Sequence, residues 1–116
     1  MEELLIHNQD IPVEDFDILV AYSDGFDDNV YPEEIPSCIQ RYMNEGLVTS
    51  LSRAADCLAR KAHLLGKNRA YLSPFNAEWK RAFERGDEMP NLPPPGYSFM
   101  GGKEDDVTVI VAQIFS

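Results

Sequence analysis

The chain has 116 residues, 44% hydrophobic and 26% charged, the balance of one soluble globular domain with a modest core. Twenty acids against ten bases give a formal net charge of −10, which excludes the basic footprint of a nucleic-acid binder and favours cations or basic partner surfaces. No apolar run approaches the length of a membrane helix, and Met1-Glu-Glu-Leu-Leu lacks the start of a secretory signal. The expectation is an intracellular protein, cytoplasmic or mitochondrial/organellar, with any targeting peptide lying upstream of Met1.

In chain order, Leu4-Leu-Ile-His7 reads as an edge strand, with His7 structural or solvated because no companion ligand is near in sequence. Asp10 to Asp17 is a polar connector containing Pro12. Asp17 to Tyr22 is a nearly unbroken apolar strand, as expected where both faces are covered. A helix follows: Pro32 fits its first turn, Glu33 and Glu34 suit the positive end of its dipole, Ile35, Ile39, Tyr42 and Met43 recur at helical spacing, and Gly46 is its stop. The next helix carries Leu47, Leu51, Ala54, Leu58, Ala62 and Leu65 on one stripe and ends near Gly66. A third begins at Ser73-Pro74, buries Phe75, Trp79, Ala82 and Phe83 as core, and closes at Gly86. Met89 to Gly96 holds four prolines and reads as a loop; its Pro90-Asn-Leu-Pro93 matches a PxxP pattern shared by many surface loops. Val107 to Phe115 is the last strand. Cys38 and Cys57 form no CxxC pair and no metal spacing, so they are expected as free, buried thiols in a reducing compartment, without a disulfide.

The acids are arranged around the two central strands. Asp24 ends the first, followed by Gly25, which permits a bend that a side chain would hinder, and Asp105 and Asp106 open the last. In an antiparallel pair the end of one strand lies beside the start of its neighbour, so Asp24 and Asp105 should converge on one sheet edge. Asp27, Asp28 and Glu104 stand nearby. Taken singly, each cluster also fits solvated turn acids. Together they favour a site of oxygen ligands for a hard cation such as magnesium, manganese or calcium. An EF-hand loop starting at Asp24 fails, because its sixth and twelfth positions hold Asn29 and Ile35 rather than glycine and glutamate. A haloacid-dehalogenase-type aspartyl phosphatase fails as well, because the position two residues before Asp24 is Tyr22.

Two segments carry a resemblance. Ile18-Leu-Val-Ala-Tyr-Ser-Asp24-Gly25-Phe-Asp-Asp-Asn29-Val resembles the apolar strand, Thr/Ser-Asp-Gly and acidic-Asn-Val segment of the metal-dependent type 2C protein phosphatases. Gly101-Gly-Lys-Glu-Asp105-Asp106-Val-Thr-Val resembles their closing Gly-Gly-x-x-Asp-Asp-x-Thr-Val strand, and Ala59-Arg-Lys-Ala62 with Ser73-Pro74-Phe75 resembles their mitochondrial and plant branch. The resemblance implies an α+β fold, a portion of an α-β-β-α sandwich in which antiparallel sheets are flanked by helices. It implies Asp24 and Asp105 as metal ligands, with Gly25 and Asp106 in support. It also implies two Mg2+ or Mn2+ ions ~3.5–4 Å apart in the complete domain and a phosphoserine or phosphothreonine protein as substrate. The family's early acidic residue, its Asp-Gly-His-Gly-Gly segment and its phosphate-binding arginine have no counterpart here. The expectation is therefore the C-terminal part of such a domain, spanning 1–116, lacking the N-terminal half and inactive alone. It should expose apolar strand surface and sheet edges through which it self-associates. The alternative is a non-catalytic phosphatase-like module that binds a protein partner. No nucleic acid and no membrane enter either reading.

Overall fold

A computed structural model describes residues 11–87 and 98–115. The expected edge strand at Leu4–His7 and the proline loop from Met89 to Gly96, PxxP pattern included, lie outside the described residues. Strand β1 (Ile18–Tyr22) pairs antiparallel with β4 (Val109–Gln113), in the register Tyr22↔Val109 at one end and Ile18↔Gln113 at the other. Between them run α1 (Asp24–Asp27), a 3-10 turn (Pro32–Glu34), α2 (Ile35–Gln40), a hairpin of β2 (Met43–Asn44) and β3 (Leu47–Val48), α3 (Leu51–Lys67) and α4 (Pro74–Arg85). This is the expected α+β arrangement of antiparallel strands with helices packed on a sheet. No helix among the described residues is long and apolar enough to cross a membrane.

The core lies between the sheet and α3. Ala54, Leu58 and Ala62 recur at helical spacing on the buried stripe of α3 and meet Phe26, Val30, Ile39 and Val111. From the strands, Ile18, Val20 and Val109 turn to the same side. The alternate residues do not: Leu19 is 41% and Ile110 61% exposed. The unbroken apolar run therefore has one face covered and one bare, and the expectation of two covered faces does not hold among these residues. The expectation of exposed apolar strand surface does.

Three helical assignments change. The stripe through Tyr42 and Met43 breaks because α2 stops at Gln40 and the chain turns into a two-residue hairpin. Glu45 and Gly46 both take positive φ, +51° and +81°, the conformation of the tight turn whose twist matches its flanking strands. Gly46 thus makes a hairpin rather than a helix stop, and Leu47 lies in β3 rather than on α3. The start of α3 is fixed instead by Ser50, whose hydroxyl accepts from Arg53 N. At the third helix, Ser73 caps through Asn76 N and Gly86 closes in the left-handed region at φ +75°, as the sequence indicates. The aromatic face of α4, however, does not enter the core: Phe75 and Trp79 are half-buried and Phe83 is exposed. They gather around Phe99, with Trp79–Phe99 and Phe83–Phe99 centroids 5.9 and 5.5 Å apart.

The thiols also depart from expectation. Cys38 of α2 and Cys57 of α3 form a disulfide across Cα atoms 5.7 Å apart. Sequence spacing gave no sign of it, because the pairing follows from α2 packing against α3. Lys61 reinforces the same junction by donating to Glu34 O at 3.0 Å and Ser37 Oγ at 3.1 Å. Nearby, Tyr71 donates to Glu34 Oε1 at 3.1 Å. Burial first, and then this hydrogen bond and the field of Glu34, push its phenol well above the usual tyrosine range.

The disulfide closes a loop of sequence separation 19, so its loss should remove about 3 kcal/mol of stability through the unfolded chain. Thermal melts with and without dithiothreitol should show a lower midpoint in the reduced protein. Cys57→Ser should melt at that lower midpoint and be insensitive to the reductant.

Candidate metal centre

The two acidic segments meet because the β1–β4 ladder continues past its last strand residues. Ser23 N donates to Thr108 O at 3.0 Å, Thr108 N donates to Ser23 Oγ at 2.9 Å, and Ser23 Oγ donates to Asp106 O at 3.3 Å. The next step places Gly25 against Asp106. A Cβ on Gly25 would run into the Asp106 carbonyl and stand 3.4 Å from Asp105 Cβ. Glycine is thus required here by close approach, and the turn that carries Asp24 lies directly on the loop that carries Asp105.

Asn29 locks this contact. It is 1% exposed, and its Nδ2 donates to Gly25 O at 2.8 Å and to Lys103 O at 2.7 Å, while its Oδ1 accepts from Lys103 N at 2.7 Å. One amide therefore satisfies three backbone groups from two segments, one of them 74 residues from Asn29 in the chain. The far side of the loop is held as firmly. Gly101, at φ +107°, presents its carbonyl to Ser73 Oγ at 2.8 Å and Asn76 Nδ2 at 2.7 Å, both from the start of α4. Gly102 N donates to Asn68 O at 2.9 Å, and a Cβ on Gly102 would meet the Leu65 carbonyl and Gly66 Cα. The Gly-Gly pair is what lets the loop pass under the end of α3.

Asp24 is exposed at the head of α1, and Asp105 and Asp106 are exposed across from it. Asp105 Oδ1 accepts from Asp106 N at 2.8 Å, which orients the carboxylate within its own loop. Asp105, Asp106 and Glu104 border a cleft of about 340 Å³ whose other walls include Asn29, His63 and Lys67. The remaining acids of the first cluster go elsewhere. Asp28 pairs with Lys103 at 3.5 Å, and Asp27 faces a different cleft with α4. Among the described residues no group of three or more His, Cys, Asp or Glu gathers at one point. The carboxylates of Asp24 and Asp105 suit a hard cation by their chemistry and by their common edge, but they make only part of the six or so oxygen ligands such an ion takes. Ser23, Asn29 and Asn76 position the site without being legible as site residues in the sequence. For Asn29 the available signal was its place in the acidic-Asn-Val part of the resembling segment, which gave it no assigned role.

Several known proteins are similar. The chain is 32% identical over 109 residues, 93% of its length, to a protein of Oryza sativa subsp. japonica described as "Probable protein phosphatase 2C 71". It is 36% identical over 99 residues, 84% of its length, to "Probable protein phosphatase 2C 1" of the same organism. With "Probable protein phosphatase 2C 26" of Arabidopsis thaliana it shares 33% identity over 107 residues, 91% of its length. These alignments cover 20%, 27% and 33% of the respective relatives, so the chain spans a third of their length or less. Among solved structures, that titled "X-ray structure of the photosystem II phosphatase PBCP" matches 90% of this chain and 38% of its own, with a TM-score of 0.67 and 34% identity. No family model matches the chain.

Asn29→Ala strands Gly25 O, Lys103 N and Lys103 O, and should cost about 3 kcal/mol in a urea unfolding curve. Gly25→Ala should destabilise comparably by forcing the two acidic segments apart. Glu33→Ala, on an exposed turn, should leave the midpoint within about 0.5 kcal/mol of the parent.

Proposed function

Over the stretch it shares with them this chain is homologous to the type 2C protein phosphatases, and we propose that it supplies the C-terminal part of such a domain, hydrolysing phosphoserine and phosphothreonine in proteins once completed by the remainder. The observation that carries the reading is the convergence of the Asp24 turn and the Asp105–Asp106 loop at one sheet edge, fastened by Asn29.

In this reading Asp24 and Asp105 hold Mg2+ or Mn2+, with the other ligands coming from water, phosphate and sequence outside this chain. The ions, when bound, supply charge neutralisation at the phosphoryl group and an ionised water. The protein's own part is placement. Asn29 and Ser23 fix the spacing of the two ligand-bearing segments. Gly25, Gly101 and Gly102 let backbone approach backbone, and the Asp106 N–H orients the Asp105 carboxylate. Carboxylates preset by such contacts bind a cation with less reorganisation. In this reading no side-chain nucleophile is needed, and the Ser23 hydroxyl at the edge is engaged with Thr108 N and Asp106 O. The bare face of β1–β4, with Leu19 and Ile110, is where the second sheet of a sandwich packs in this reading.

In the complete protein, Asp24→Asn and Asp105→Asn should each lower manganese-dependent hydrolysis of a phosphothreonine peptide by more than about 100-fold, without a matching loss in thermal midpoint. Near-normal turnover in both variants would sink the assignment. The 116-residue chain alone should show no manganese-dependent hydrolysis of p-nitrophenyl phosphate above buffer.

A further inference from the structure

The Cys38–Cys57 disulfide is not sealed in the core. Both residues line an open cleft of about 400 Å³ between α2 and α3, whose walls carry Arg41, Arg60 and Lys61 against Glu34 and Asp56. Cys38 is 2% exposed, whereas Cys57 is half-buried. A thiolate entering the cleft therefore meets the Cys57 sulfur first, and Cys38 becomes the leaving group. Arg60 is held on Asp56 at 3.0 Å, and Lys61 on Glu34 O and on Ser37 Oγ, next to Cys38. Cations beside a disulfide favour both the thiolate that attacks and the thiolate that leaves.

The link also spans a frame that ends at the acidic edge. Cys38 lies nine residues beyond Asn29, and Cys57 nine residues before Gly66. A Cβ on Gly66 would stand 3.2 Å from Lys103 O and 3.5 Å from Asn29 Nδ2, so the end of α3 rests on the Asn29–Lys103 contact. The disulfide thus closes one end of the frame, and that contact closes the other. Breaking the S–S bond does not separate the two helices. Ile39 beside Cys38 and Leu58 beside Cys57 are buried in the core, and Lys61 bridges the junction independently. The two sulfurs remain neighbours after reduction, and the bond can form again.

We propose that Cys38–Cys57 is a reversible redox link, opened by a vicinal dithiol through this cleft, whose reduction loosens the Asn29–Lys103 fastening and weakens cation binding at the acidic edge. The dithiol's thiolate bonds to Cys57 Sγ as the protein S–S bond breaks, and its electron pair leaves on Cys38 Sγ, which takes up a proton. The second thiol, deprotonated, then displaces Cys57 from the mixed disulfide. The products are two protein thiols and one cyclic disulfide, and the same exchange in reverse restores the link. The effect on cation binding rests on the phosphatase reading; the exchange and the loosening do not.

Dithiothreitol is the probe. Without denaturant it should convert the chain to a form in which iodoacetamide alkylates both cysteines, read by mass. Cys57 in Cys38→Ser should be alkylated at least about tenfold faster than Cys38 in Cys57→Ser. In the reduced chain, hydrogen exchange at Lys103 N–H, which donates to Asn29 Oδ1, should accelerate about tenfold more than at Ala77 N–H, in α4 outside the frame. A loss of global stability alone would accelerate both alike. In the complete protein, freed of dithiothreitol after reduction, the manganese concentration for half-maximal p-nitrophenyl phosphate hydrolysis should rise about tenfold. Turnover at saturating manganese should stay within about twofold. The double variant Cys38→Ser/Cys57→Ser should show the raised requirement with or without reductant. A disulfide that resists dithiothreitol until the chain unfolds overturns the proposal, as does equal acceleration at Lys103 and Ala77. An unchanged manganese requirement in the active, reduced protein overturns the coupling to cation binding. Complete parent protein inactive in both redox states overturns the phosphatase reading instead, and the exchange comparison then decides the link.

Discussion

The side-chain amide of Asn29 joins two parts of the chain that strand pairing brings to one edge. A buried amide is costly unless its donors and acceptor are satisfied, and here each bond goes to backbone: Gly25 on one side, Lys103 twice on the other. The bond geometry fixes distance as well as energy. Because both segments carry carboxylates, the spacing that Asn29 sets is also the spacing between two negative charges. Without an internal link they would drift apart to relieve their repulsion. Ser23 adds a second link at the strand ends, and the Gly101–Gly102 pair anchors the loop from behind against α3 and α4. The acidic edge is therefore held from three directions by neutral polar groups and glycines.

What the sequence made legible was whatever depends on local pattern. The strand at Ile18–Tyr22, the cap at Ser73, the left-handed stop at Gly86 and the stripe Ala54–Leu58–Ala62 all follow from periodicity and capping chemistry, and all stand. The convergence of the two acidic turns was legible too, since antiparallel pairing of the first and last strands implies it. Features set by tertiary context were not. Met43 and Leu47 read as stripe positions of two helices separated by a stop at Gly46, yet Glu45 and Gly46 take positive φ and make a hairpin, whose β3 is then tied to β4 by Gln113 Oε1 accepting from Val48 N at 2.9 Å. Cys38 and Cys57 carry no spacing signal because their partnership is created by helix packing. Asn29 stands in the phosphatase-like motif, but its part in fastening the two segments depends on the same kind of tertiary contact.

The aromatic face of α4 shows how a pattern can be read correctly and placed wrongly. Phe75, Trp79 and Phe83 do share a helical face, and hydrophobic spacing normally means core. Here the core is filled by α3, and α4 lies beyond the Gly101 loop, so the rings gather with Phe99 at a half-open surface. The rings left facing α1 border acids rather than aliphatic side chains. Helical periodicity reports which residues share a face, while only the neighbouring elements decide what that face meets.

The pairing of β1 with β4 has a kinetic consequence. Tyr22 and Val109 are partners across almost the whole described chain, so their contact closes a very long loop and gains little until the intervening helices have shortened it. Helices α3 and α4 and the β2–β3 hairpin are local and form without that closure. Loop-closure entropy thus favours a sheet, and with it an acidic edge, that closes after the local elements between its strands. Any cation attracted to Asp24 and Asp105 as a pair encounters a nearly finished protein, and its binding energy bears on the last step of folding rather than the first.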